Sequence, residues 1–320
     1  MIESARAANL SAYPDPTSLA ARACAAQHWH RPIDELAFGA GVSELLPALF
    51  AAVLRRDDRV VLAAPLYGEY ARAAQLADAK TVGVTRRSTM PYVNRLLAAL
   101  RRHTPRVLVI VAPGNPLGDA WTRDDLALLA NAAAERDCLL VIDQSYDAFL
   151  DQPLGDPALP GHPAVVHLRS LTKDFAIAGL RAAYAIGPAP VMTQLEAQRA
   201  PWAASTPAQA AAIASFSADA QQHVQQTTRA LRRDALAFTE ALRTIGAGIR
   251  MTDVHWVLCS LSVAQAARLE QAAGIRVRTL EDHLLTGLAR IAAPIPALQA
   301  EVVSAIATAL RLHSPSTDLS

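Results

Sequence analysis

The stretch Arg169-Ser-Leu-Thr-Lys-Asp-Phe-Ala-Ile-Ala-Gly-Leu-Arg181 holds Lys173, one of only two lysines, with Lys80, among 30 Lys and Arg residues. Lysine offers what arginine does not: an amine that loses its proton in a desolvated site and condenses with a carbonyl to a Schiff base. Lys173 follows an apolar run, stands beside the hydroxyls of Ser170 and Thr172, and precedes Arg181 by eight residues. Hydroxyl donors and a planar guanidinium are the usual equipment for holding a phosphate. An aldehyde that carries a phosphate and sits beside a lysine is pyridoxal 5'-phosphate.

Four further stretches carry chemistry. Phe38-Gly-Ala-Gly-Val-Ser-Glu44 puts Gly39 and Gly41 directly before a helical pattern, where free N–H groups and the positive helix end favour an anion. The third glycine of a dinucleotide loop is missing and no long strand is evident before it, which makes a nucleotide-dependent oxidoreductase a distant reading. Pro65-Leu-Tyr-Gly-Glu-Tyr70, Ala112-Pro-Gly-Asn-Pro-Leu-Gly118 and Val141-Ile-Asp-Gln-Ser-Tyr146 each follow or end an apolar run of strand length. Asp143 at the end of a buried strand would be costly without a charged partner. Taken singly, each stretch also has a plain reading: a tight turn into a helix, helix-start tyrosines, generic Asn-Pro and Pro-Gly turns, an exposed lysine on a loop.

Ser-x-Thr-Lys-x5-Gly-Leu-Arg resembles the lysine signature of fold-type I pyridoxal-phosphate enzymes, in the branch of histidinol-phosphate aminotransferase and threonine-phosphate decarboxylase. The other stretches match that family in the expected order over residues 39 to 181, and Pro201-Trp-Ala-Ala-Ser-Thr-Pro resembles its interdomain segment. The resemblance implies that Lys173 holds the cofactor as a Schiff base and then moves the substrate's Cα proton. It implies a phosphate site from Gly41, Val42, Ser43, Ser170, Thr172 and Arg181. Tyr67 would stack on the ring, Asn115 and Tyr146 would hydrogen-bond its phenolic oxygen, and Asp143 would pair with its ring nitrogen. Lys173, Asp143 and Tyr67 form the implied catalytic set. On the substrate side Arg290 would grip the carboxylate, Arg278 a distal phosphate, and Tyr13 would reach across a homodimer into the neighbour's site. Ala40 stands where the family usually has Asn, and Gln144-Ser145 where it commonly has Glu-Ala. No Asn-x-Asn-Pro-Leu-Gly stretch precedes Tyr13, which leaves the substrate and the reaction open.

Positioning these residues requires a sheet. Continuous apolar runs at 59–64, 81–85, 106–112, 138–143, 165–168 and 182–187 fit strands buried on both faces, alternating with helical patterns such as 122–135. The fold class is α/β, a mostly parallel sheet sandwiched by helices, with a smaller α+β C-terminal lobe. A long alanine-rich helix should run from Pro207 to about Arg243. The lobe should follow with a strand at 255–261, a helix over 263–273, strands at 275–278 and 288–292, a helix over 298–312 and a frayed tail at 314–320. The expected division is an N-terminal arm and helix over 1–30 that joins the small lobe and the dimer contact, a large cofactor-binding domain over 31–215 and a small domain over 216–320.

Net charge is +1 over 320 residues, giving no field for nucleic acid or an anionic membrane, and no apolar run reaches the roughly 20 residues of a span. Met1-Ile-Glu-Ser-Ala-Arg has no apolar secretory core. Cys24, Cys138 and Cys259 are too scattered for a disulfide framework, and no carboxylate or cysteine completes a metal set with His28 and His30. The expectation is a cytoplasmic homodimer bound to pyridoxal 5'-phosphate, without metal, acting on an amino acid or amino-acid phosphate. Transamination ranks first, decarboxylation second, and cofactor binding without turnover third.

Overall fold

The computed structural model of the chain describes residues 1–86, 90–155, 158–283 and 285–311; the expected frayed tail lies outside these. Two compact units emerge, the first formed by Met1–Asn115 with Ala120–Gln226, the second by Pro116–Asp119 with the chain from Thr227 onward.

The first unit contains α1 (Ile2–Arg6), α2 (Leu19–Trp29), β1 (Leu36–Gly39), α3 (Val42–Val53), β2 (Arg59–Ala63), α4 (Glu69–Leu76), β3 (Lys80–Val84) and α5 (Tyr92–His103). It continues through β4 (Val107–Val111), α6 (Arg123–Ala134), β5 (Leu139–Asp143), β6 (Val165–Ser170), α7 (Leu171–Asp174), β7 (Ala183–Ile186), α8 (Ala189–Ala197) and α9 (Thr206–Ser215). Its seven-stranded sheet has the order β1-β7-β6-β5-β4-β2-β3. The five strands from β2 to β6 are mutually parallel, while β7 runs antiparallel to both β6 and β1. All five residues of β4 are buried, because helices cover both faces. Leu45, Leu49 and Phe50 of α3, Tyr70 of α4 and Leu195 of α8 pack on one face. Leu96 and Leu100 of α5 with Leu126 and Leu129 of α6 pack on the other.

Several elements differ from the sequence expectation. β1, only four residues long at a sheet edge, carries too short a pattern to read. Residues 1–30, expected to join the small lobe, pack within the first unit, where Ala5, Ala21, Ala25 and Trp29 share a core with Ala208, Ala211 and Ala212 of α9. The single long helix is two, α9 and α10 (Ala218–Thr244), because Ser217 Oγ accepts the N–H of Ala220 at 3.2 Å and restarts the chain as a cap. The division between units falls inside α10 rather than at 215.

In the second unit β8 (Ile249–Arg250), β9 (Trp256–Ser260), β10 (Arg278–Thr279) and β11 (Leu288–Ala292) form an antiparallel sheet of order β10-β11-β9-β8. Helix α11 (Val263–Ala273) matches its expected bounds because Ser262 and Gln265 form a full capping box and Gly274, at φ +66°, closes the other end. The strand expected at 275–278 shrinks to the edge pair of β10, and α12 (Pro296–Arg311) closes the described chain.

Candidate active site

Sheet register brings together the residues expected to hold a phosphate. Gly39 of β1 and Ser170 of β6 both lie opposite Ala183 of β7. Gly41 and Thr172 are two residues beyond that row, and Arg181 is two residues before Ala183 on a strand of opposite direction. All three therefore lie at the carboxyl edge of the parallel strands, where ligands of open α/β sheets bind.

Gly41 caps α3 at φ +89°, ψ +160°. The amides of Val42 and Ser43 have no acceptor among the described residues. They belong to the helix end whose dipole favours an anion. A Cβ on Gly41 would overlap Arg181 Nη2 and lie 3.0 Å from Cζ, so the guanidinium presses against the loop. Ser170 Oγ and Thr172 Oγ1, both buried, are 2.7 Å apart.

A second register row, Val111–Asp143–Leu168, carries Asp143, expected at the ring nitrogen. Asp143 is 5% exposed; its Oδ1 accepts the Ser145 N–H at 2.8 Å and its Oδ2 the Tyr70 phenol at 2.6 Å. No cation pairs with this carboxylate among the described residues. Asn115 is half-buried beyond the end of β4. Exposed Lys173 has its Nζ 5.9 Å from the Tyr146 ring centroid. Tyr67, 39% exposed, brings its hydroxyl to 3.5 Å from Ser43 Oγ. All the expected cofactor residues thus belong to the first unit. Arg278 and Arg290 belong to the second, as direct cross-strand partners. Tyr13, in the first unit, is 83% exposed and tilted against Trp202 at 5.1 Å.

Supporting residues went unread in the sequence. Arg199, with a side chain only 6% exposed, pairs with Glu44 at 2.9 Å and Glu196 at 3.0 Å. Glu44 Oε2 in turn accepts the Ala40 N–H at 3.1 Å, which fixes the anion loop. Burial raises the Glu196 carboxyl above its ordinary range, against the pull of Arg199. Gln144, fully buried, donates to the Gly155 carbonyl and accepts from the Ala158 N–H and from His167 Nδ1. Burial drops the His167 pKa to about 3. Buried Arg169 donates to the Gln144 carbonyl at 2.6 Å and lies 3.9 Å from Asp147 and 3.6 Å from Asp174, the residues after Tyr146 and Lys173. Burial pushes the Cys138 and Cys259 thiols up to about 12 and about 11, so neither is a ready nucleophile.

The profile of aminotransferase class I and II matches residues 2–310. The chain belongs to that family. A histidinol-phosphate aminotransferase of Symbiobacterium thermophilum is 31% identical over 264 residues, 80% of this chain and 71% of the relative. An aromatic amino acid aminotransferase of Thermobifida fusca is 30% identical over 278 residues, 85% and 76% of the two chains. Among solved structures, histidinol-phosphate aminotransferase from Sinorhizobium meliloti in complex with pyridoxal-5'-phosphate is similar in fold at TM-score 0.87 and 21% identity, covering 97% of this chain and 87% of that one. L-threonine-O-3-phosphate decarboxylase from Porphyromonas gingivalis follows at 0.83 and 19%, covering 94% and 91%.

This aminotransferase uses pyridoxal 5'-phosphate, and its residues fit that group. A cradle that a Cβ would fill, free amides and paired hydroxyls suit the phosphate. The buried Asp143, without a cation of its own among the described residues, suits a protonated ring nitrogen.

Proposed function

We propose that this aminotransferase takes an amino acid or amino-acid phosphate as amino donor. The observation that carries the reading is the register of β10 on β11, which sets Arg278 directly opposite Arg290. Side chains directly opposite on two strands share one face and stand close together, so the two guanidinium groups suit a ligand with two anionic groups. Arg290 lies with its guanidinium 5.2 Å from the Trp256 ring, and Trp256 is itself fixed by donation to the Pro116 carbonyl at 3.0 Å. Arg290 would take the α-carboxylate and Arg278, ion-paired with Asp282 at the surface, the distal group.

The bound cofactor supplies an electron sink for the substrate's Cα bond. Lys173 Nζ carries the Cα proton between positions. Asp143 keeps charge at the ring nitrogen, Asn115 and Tyr146 steady the phenolic oxygen, and Tyr67 covers the ring face. Gly41, Val42, Ser43, Ser170, Thr172 and Arg181 bind the phosphate.

The same reading includes a cytoplasmic homodimer. Three unpaired cysteines support the reducing compartment, and the exposure of Tyr13 supports an arm that reaches a partner's site. Mixing inactive Tyr13→Ala and Lys173→Ala proteins under subunit exchange should restore part of the activity, since one site of the mixed dimer receives both good residues. No recovery despite exchange would place the arm on its own chain. A screen of amino acids and their phosphate esters, read for both keto acid and CO2, tests the substrate class. Preference for an anionic side chain that Arg278→Gln abolishes is expected. CO2 without keto acid would replace transamination by decarboxylation, and equal use of neutral donors would remove Arg278 from the reading.

A further inference from the structure

Tyr70 is fully buried on α4, in the apolar layer over β2, β4 and β5, and its phenol oxygen is the one polar atom of that side chain. It lies 2.6 Å from Asp143 Oδ2, a short distance of the kind made to an ionised acceptor. Burial first, then the Asp143 charge and this hydrogen bond, hold the phenol's pKa well above its ordinary value, so it remains a donor. The other carboxylate oxygen is engaged by the Ser145 N–H at 2.8 Å. An ionised carboxylate has about four lone-pair sites, and the two donors leave two, fixed in direction.

We propose that Tyr70 is a positioning residue that fixes the orientation of the Asp143 carboxylate, so that a remaining lone pair stays aimed at the cofactor's ring nitrogen. This rests on the assignment of Asp143 to that nitrogen. Without the phenol, Asp143 turns more freely and holds the ring nitrogen less well.

A pair of cofactors separates this role from packing. The apoprotein is titrated with pyridoxal 5'-phosphate and with its 1-deaza analogue, in which C–H replaces the ring nitrogen, and binding is followed by quenching of protein fluorescence. The wild type should prefer the natural cofactor. Tyr70→Phe should weaken it roughly tenfold, about 1.4 kcal/mol, and leave the analogue's affinity unchanged. Equal weakening of both ligands, or of neither, overturns the proposal. Should the Phe variant not fold, 3-fluorotyrosine placed at position 70, a stronger donor, should widen the preference, and an unchanged or narrowed preference overturns it. Asp143→Asn separates the two layers of the reading. If the wild type lacks the preference, or the Asn variant keeps it, Asp143 is not at the ring nitrogen and the proposal falls with that assignment; if Asp143→Asn erases it and Tyr70→Phe does not touch it, only Tyr70 is refuted.

Discussion

Replacing Gly41 by alanine perturbs the cofactor loop in two ways that can be measured apart. At φ +89° and ψ +160° the backbone lies in a region essentially reserved for glycine, and a side chain there costs on the order of 1–3 kcal/mol. That strain is present with or without ligand, so it lowers the melting temperature of the apoprotein. The methyl also overlaps Arg181 Nη2 and stands 3.0 Å from Cζ, which forces the guanidinium to swing out of the cradle. Loss of one charge-assisted hydrogen bond is worth about 1.5–3 kcal/mol, so cofactor affinity should fall roughly ten- to hundredfold at 1.4 kcal/mol per decade. Pyridoxal, the same ring without its phosphate, is the internal control. Fluorescence titration of the apoprotein should show that Gly41→Ala erodes the preference for the phosphorylated form and barely changes pyridoxal binding. A variant that melts lower yet keeps the full preference would refute the phosphate role and leave Gly41 as a turn residue only.

Two further outcomes follow. Borohydride reduction of the loaded protein should fix the pyridoxyl group on the Lys173 peptide, and Lys173→Ala should lose both this adduct and turnover while folding normally, because the side chain is exposed; an adduct on Lys80, which is ion-paired with Asp57 at 2.7 Å, would remove Lys173 from its role. Arg199→Met should destabilise by roughly 1–3 kcal/mol near neutral pH, less than the 3–5 of a fully buried pair, because Glu44 and Glu196 keep about a quarter of their side chains in water. The Glu196 carboxyl is already raised in the folded state, so the folded form holds its proton at pH values where the unfolded chain has lost it, and stability falls as pH rises through that window. Removing the cation widens the window, so thermal melts of variant and wild type should converge near pH 4 and diverge toward pH 8. A gap that does not depend on pH would show that Arg199 acts by packing alone.

The fold was legible where burial leaves a local mark. β4 and β5 follow from unbroken apolar runs to within a residue, and α11 from a capping box and a closing glycine. The motif residues were legible for a related reason: Asp143 ends β5, Ser170 ends β6, and Gly41 and Arg181 stand two residues from strand ends. A residue at the end of a buried strand has a position that the chain itself announces. Tyr70 had no such mark, since its partner Asp143 is 73 residues away and a tyrosine at the start of a helix reads as packing. Arg199 and Glu44, 155 residues apart, are equally silent.

One class of support did leave a trace. In Val165-Val-His-Leu-Arg-Ser170 all six residues are buried, so the polar side chains of His167 and Arg169 cannot be a solvated face. A strand covered on both sides offers them no water, and each must find protein partners or destabilise the sheet. Arg169 needs acceptors, and the carboxylates that answer it, Asp147 and Asp174, each follow an expected cofactor residue by one position. His167 needs a neutral partner, because a cation at this depth beside Arg169 would be repelled by it; Gln144 provides one where the related pattern commonly has a glutamate. Gln144 thus serves the histidine across the strand pair, and both pack in the layer beneath the Tyr146 and Lys173 segments. Polar residues within an otherwise apolar, doubly covered strand mark such a layer in the amino-acid sequence itself, because burial leaves them only protein groups with which to be satisfied.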